Sequence, residues 1–170
     1  MKHLVELTLK TEAELPQIYC DMDMVLVDFI GGYEKLSGKD FQNADKEDRW
    51  KEITGKKDFW HTLEWMPGAE KMWKFIHKYD AHILSAYSNR DKNSQPGKKA
   101  WLAKYARPKG NIHLVQRADK RKYATTNGKP NILIDDYIKN IKEWEDAGGI
   151  GIHHTSPSKT IAQLKRLGFR

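Results

Sequence analysis

The chain has 170 residues, enough to bury one substantial core and too few for two, so one domain with at most a small inserted unit is expected. Hydrophobic residues at 39% and charged residues at 31%, with a mean hydropathy of -0.78, exclude a membrane-embedded protein. The net charge of +7 is uneven: from Arg90 to Lys129, twelve Lys or Arg stand against Asp91 and Asp119, a stretch that suits an anionic substrate, nucleic acid or plain water alike.

The opening residues, Met1 to Gln17, include Glu6, Glu12 and Glu14 and lack a long apolar run with a small-residue cleavage site. Neither a secretory signal nor a transit peptide is read there, and the cytosol is the expected location. An extra strand and a loose arm are both open readings for the first fifteen residues. The apolar run from Ile18 to Val27 reads as a strand. Inside it lies Cys20, the lone cysteine, which leaves no internal disulfide or thiolate framework for zinc and is expected to be a buried, inert thiol.

From Phe29 to Pro67 the pattern changes to glycines, many charges and the rings of Phe41, Trp50, Phe59, Trp60 and Trp65, without a clear strand. This stretch reads as a small insertion, and Pro67-Gly68 marks the return to the main domain. Ala69, Met72, Trp73, Phe75 and Ile76 then fall at helical spacing, and Ala81 to Ser85 reads as a strand. Trp101, Leu102 and Tyr105 are again helical in spacing, followed by a strand from Ile112 to Val115 and another from Ile132 to Ile134. A helix from Ile138 to Ala147, a strand from Gly149 to His153 and a closing helix from Thr160 to Leu167, ended by Gly168, complete the chain.

Alternating strands and helices predict an α/β fold, a central parallel sheet flanked by helices, with its site beyond the carboxyl ends of the strands. The domain reading is a core of residues 1–28 and 68–170 carrying the insertion 29–67. Two strand ends run straight into acids: Ile18-Tyr19-Cys20-Asp21-Met22-Asp23, and Ile132-Leu133-Ile134-Asp135-Asp136. Like charges clustered at apolar strand ends need a cation or a proton, and if both strands are central their oxygens can share one hard divalent ion, Mg²⁺ being the best fit. Ser85 ends the intervening strand with a hydroxyl suited to a phosphate oxygen, and Lys120 or Lys122 supplies an ammonium.

The ordered set Asp21-Met22-Asp23, Ser85, Lys120 and Asp135-Asp136 resembles the four motifs of the haloacid dehalogenase (HAD) phosphatase superfamily, which implies a Rossmann-like core with a small helical cap. Asp21 to Phe29, Ile83 to Ala86, Ile132 to Asp136, and Asn140 to Trp144 followed by Gly148-Gly149 are similar to the 5'(3')-deoxyribonucleotidase family and its phage and bacterial relatives. The likeness spans roughly residues 17 to 168. It implies that Asp21 is the nucleophile and Asp23 the general acid and base, whose backbone carbonyl also helps bind Mg²⁺. Asp136 is then the second metal carboxylate, Asp135 a further ligand or its partner, and Ser85 with the Ala86 amide the phosphoryl holder. The motif lysine is Lys120 rather than Lys122, because Tyr123-Ala124 follows at the family's spacing. Met24 departs from the pattern, which usually has Gly there.

The same resemblance implies a nucleoside monophosphate as substrate, with 5' or 3' phosphate open. Phe59, Trp60 and Trp65 are the candidates for stacking on its base, against the alternative that they form the insertion's own core. The basic stretch keeps open a 3'-phosphatase of nucleic-acid ends, and fold alone leaves open a metal-stabilised binding module. His153-His154 reads as surface or loop histidines rather than a metal pair, since neighbours in an extended segment point opposite ways. Asn140 to Trp144 reads as helix packing and capping beside the Asp135-Asp136 loop.

Overall fold

The computed structural model describes residues 14–170, so the reading of the first fifteen residues lies almost wholly outside the described residues. Strand β1 (Ile18–Cys20) is followed by helices α1 (Phe29–Ser37) and α2 (Lys46–Gly55) and a 3-10 turn at Trp60–Thr62. Then come α3 (Ala69–His77), β2 (His82–Ala86), α4 (Ser94–Trp101), β3 (Ile112–Val115) and a 3-10 segment at Arg117–Tyr123. A hairpin of β4 (Thr125–Thr126) and β5 (Lys129–Pro130) leads into β6 (Ile132–Asp135), α5 (Ile138–Asp146), β7 (Ile150–His153) and α6 (Pro157–Arg166).

Five strands form one sheet in the order β3-β2-β1-β6-β7, every neighbouring pair parallel. The chain therefore builds outward from β1 through β2 and β3, then returns to β1's other side with β6 and β7. The strand order reverses between β1 and β6, where open α/β sheets form their crevice. Register brings the strand ends level: Cys20 pairs with Ile83 on one side and with Ile134 on the other.

Side chains of the central strands alternate between two apolar clusters, as a period of two dictates. Ile18, Cys20, Ile83, Ile132 and Ile134 point into the larger cluster, while Tyr19, Leu84 and Leu133 face a smaller one closed by Ile141 and Trp144 of α5. The larger cluster is continuous with the 29–67 segment, because Tyr33, Ile53, Phe59, Trp60 and Leu63 belong to it together with Met72, Ile76 and Trp101. Local signals start the helices. Asp28 caps α1 by accepting the Gly31 N–H at 2.8 Å, Asp45 caps α2, and Ser156 with Pro157 opens α6.

The expected strand from Ile18 to Val27 is three residues of strand followed by a tight turn. The N–H groups of Val25, Leu26 and Val27 all converge on the Met22 carbonyl, at 3.1, 2.8 and 3.0 Å. Met24 takes a φ of 62°, which no strand allows. The run is apolar because the turn is buried, and burial rather than strand pairing is what its hydrophobicity reports.

Candidate active site

Because β1 and β6 are adjacent and in register, each delivers its first residue past the apolar run to the same place. The Asp21 N–H donates to the Ile134 carbonyl at 3.0 Å, and Asp135 follows Ile134 directly. Asp21, Asp135 and Asp136 each bring a carboxylate oxygen within 4.8 Å of the others. Asp135 is completely buried and Asp21 nearly so.

Lys120 lies among them from the 3-10 segment after β3, with its ammonium 2.9 Å from Asp21 Oδ1 and 2.7 Å from Asp135 Oδ2. Burial pulls this ammonium down, but Asp21 and Asp135 outweigh it and leave its pKa raised. Lys122 is exposed and pairs with Asp119 at 2.9 Å. Asp135 is further held by Asn140 Nδ2 at 3.0 Å and the Tyr137 N–H at 2.9 Å. Asn140 is itself oriented by Arg117, which donates to its Oδ1 at 2.9 Å. The α5 start thus reaches the site through Asn140, a contact beyond the packing and capping expected of it.

One lysine cannot balance three acids. Burial, then repulsion from Asp21, pushes the Asp135 carboxyl up to about 6. Asp136 rises to about 7 by burial and the charges of Asp21 and Asp135. These three residues could hold a divalent cation: their oxygens converge, they are hard donors, and a cation would offset the charge that Lys120 leaves over.

The turn after β1 carries Asp23 away from that cluster, so its carboxylate is not one of the three. Instead its Oδ2 accepts from Lys98 Nζ at 2.6 Å, and its Oδ1 is buried with no hydrogen-bond partner among the described residues. The same Lys98 ammonium donates to Ser85 Oγ at 2.9 Å. Ser85 is completely buried near the end of β2, with Ala86, the strand's last residue, half-buried. Lys98 is only 1% exposed, and sequence reasoning missed it. The buried face of α4 is Ser94, Gly97, Lys98 and Trp101, of which only Trp101 has a large apolar side chain, so no apolar stripe marks it in the sequence. A lysine buried there needs a carboxylate partner.

Of the three aromatic candidates, Phe59 is 2% and Trp60 3% exposed. Phe59 stands edge-on to Phe29 and to Trp60, and the Trp60 indole donates to Asp91 Oδ2 at 2.7 Å. Their faces are spent on one another because so short a segment must build a core from its largest rings. Trp65 is half-buried and packs edge-on to Trp101, with ring centroids 4.7 Å apart. A cavity of about 450 Å³ lies beside α1, lined in part by Gly32, Lys35, Leu36 and Phe59, and none of the site's acids reaches it. His153, the last residue of β7, is exposed, as expected of a surface histidine, but His154 is buried, with Nδ1 2.7 Å from Thr160 Oγ1. Desolvation lowers the His154 pKa.

A Vibrio phage KVP40 protein bearing the name "Putative 5'(3')-deoxyribonucleotidase" is 32% identical over 133 residues, which is 76% of this chain and 71% of that protein. A hydrolase from Streptococcus pneumoniae TIGR4 superposes with a TM-score of 0.52 over 89% of this chain and 98% of its own, at 12% identity. That likeness bears on the fold, the Rossmann-like α/β architecture. No protein-family model matches the chain. With the phage relative covered to this extent, and with the strand-end acids brought together on that fold, the chain belongs to the 5'(3')-deoxyribonucleotidase family and is a hydrolase.

Proposed function

We propose that the protein is a Mg²⁺-dependent phosphomonoesterase that hydrolyses deoxynucleoside monophosphates through an aspartyl-phosphate. The observation that carries this reading is the convergence of Asp21, Asp135 and Asp136 within 4.8 Å at the β1–β6 switch point, with Lys120 buried among them. Asp21 and Asp136 would hold the ion with the Asp23 carbonyl, and Asp135 would hold it or steady its ligands. When bound, Mg²⁺ would neutralise phosphoryl charge and draw the phosphate toward Asp21.

Asp21 attacks the phosphorus, a phosphorus–oxygen bond to Asp21 forms, and the bond to the sugar oxygen breaks. Asp23 gives that oxygen its proton. Oδ2 of Asp23 is occupied by Lys98, so Oδ1, buried and without a hydrogen-bond partner among the described residues, is the atom that carries the proton. In the second step Asp23 takes a proton from water as the water oxygen attacks phosphorus and frees Asp21. Ser85 and the Ala86 amide hold phosphoryl oxygens, while Lys120 and Lys98 offset charge around them. The 29–67 segment serves as the cap over this site, and the basic stretch from Arg90 to Lys129 contributes Lys98 and Lys120 to the reaction.

The test is phosphate release from 5'- and 3'-deoxynucleotides, ribonucleotides, an aryl phosphate and a 3'-phosphorylated oligonucleotide, with Mg²⁺ and with chelator. Release from mononucleotides that chelator abolishes, and that Asp21→Asn loses while keeping its circular dichroism spectrum, is expected. Release from the oligonucleotide alone would replace this reading with end repair.

A further inference from the structure

Asp91 touches none of the reacting groups, yet it is a carboxylate only 4% exposed, in the loop between β2 and α4. Its two oxygens bind different parts of the molecule. Oδ2 accepts the Trp60 indole N–H at 2.7 Å, from the inserted segment. Oδ1 accepts the backbone N–H and the side-chain amide of Asn93, at 2.9 and 3.1 Å, where α4 begins. The Asp91 carbonyl takes the Ser94 N–H at 3.0 Å, and Ser94 Oγ takes the Ser88 N–H at 3.0 Å. A buried carboxylate is tolerated when donors surround it, and here the donors come from both sides of a seam.

The far side of that seam leads to the chemistry. Trp60 sits so close on α4 that a methyl group at Gly97 would come within 2.5 Å of its Cβ. The Lys98 ammonium lies 5.3 Å from the centroid of the Trp60 ring. That ammonium is the group that holds Asp23 at 2.6 Å and Ser85 at 2.9 Å. A continuous set of contacts therefore runs from Asp91 through Trp60 and the first turns of α4 to Lys98 and Asp23.

We propose that Asp91 is a positioning residue for the proton-transfer step. By fixing Trp60 against α4 it keeps Lys98 on Asp23 Oδ2, and so sets the orientation of the carboxyl that protonates the leaving oxygen. The proposal rests on the phosphomonoesterase reading above, and the experiment separates the two. In the step concerned, the Asp21–phosphorus bond forms, the phosphorus–oxygen bond to the leaving group breaks, and the proton passes from Asp23 Oδ1 to that oxygen.

The readout is leaving-group dependence. A sugar alkoxide needs the proton from Asp23, whereas nitrophenolate departs without it. The ratio kcat/KM covers only the steps through departure of the leaving group. Asp91→Asn, whose amide nitrogen must face either the Trp60 N–H or the Asn93 donors, should lower kcat/KM for a deoxynucleoside monophosphate about tenfold and for 4-nitrophenyl phosphate less than about threefold. Trp60→Phe keeps the ring and removes the N–H, so it should reproduce the pattern, and the double variant should lose little more than either single one. If Asp91→Asn fails to fold, Trp60→Phe carries the test. Equal losses on both substrates, or no loss on either, would overturn the positioning role while leaving the phosphatase reading intact. An unmodified protein that turns over neither substrate would overturn both.

Discussion

Lys98 and Met24 both sit where their side chains are costly, and each cost marks a constraint. A lysine 1% exposed must be compensated, and Asp23 and Ser85 do so through contacts of 2.6 and 2.9 Å. Met24 has a φ of 62°, in the left-handed region where a side chain costs roughly 1–2 kcal/mol. The family pattern usually has Gly here, and the turn that returns three N–H groups to the Met22 carbonyl explains why. Met24 is unbranched at Cβ, so the turn tolerates it. A β-branched side chain crowds the backbone further, and Met24→Ile should lower unfolding free energy by about 1–2 kcal/mol in urea titrations, whereas Met24→Gly should stay within about 1 kcal/mol of the parent. A Met24→Ile protein as stable as the parent would mean that the turn relaxes out of the left-handed region.

Among the elements, the sheet was legible because β1, β2 and β6 are apolar runs that end abruptly in Asp or Ser, and parallel registration then forces those ends together. The hairpin β4–β5 was passed over although Asn127-Gly128 signals it, both residues having positive φ; its strands are only two residues each, too short for alternation to show. The change of pattern from Phe29 to Pro67 was legible, but which of its rings face inward was not, since that depends on the helix the segment rests against. Gly97 on α4 makes room for Trp60, and neither residue indicates the other in sequence. Trp60 consequently belongs to the seam between segment and core. Trp60→Ala should cost about 3–5 kcal/mol of stability, through the cavity and the Asp91 oxygen it would leave without its indole partner. Thermal and urea unfolding would measure this. A loss below about 1 kcal/mol, with a raised nucleotide KM, would return Trp60 to the base-stacking role read from sequence.

Across the whole molecule the +7 charge gives little guidance, because its buried part does different work from its surface. Lys98 and Lys120 are buried with acids, whereas Arg90 pairs with Glu47 and Arg117 with Glu143 near the surface. Where charge does govern the molecule is the acid cluster. The Asp135 and Asp136 carboxyls lie at about 6 and about 7 in the folded protein, above the ordinary value of 3.8. Between 3.8 and about 7 these two carboxyls bind more protons in the folded state than in the unfolded chain. The contribution of these two acids to unfolding free energy therefore falls as pH rises through that window in metal-free protein, against an opposite contribution from His82, His113 and His154, whose pKa values burial lowers. A divalent cation binds the deprotonated acids, so its stabilisation must grow over the same window, reaching about 2.7 kcal/mol when Mg²⁺ is a hundredfold above its dissociation constant. In chelator, Tm should fall from pH 5 to pH 8, and Mg²⁺ should raise it at pH 8 far more than at pH 5, as read by scanning calorimetry at matched ionic strength. Asp136→Asn should flatten the chelator series and shrink the Mg²⁺ shift together, because one carboxyl produces both. A Tm at pH 8 indifferent to Mg²⁺ would remove the cation from this site and leave Lys120 as its main counter-charge.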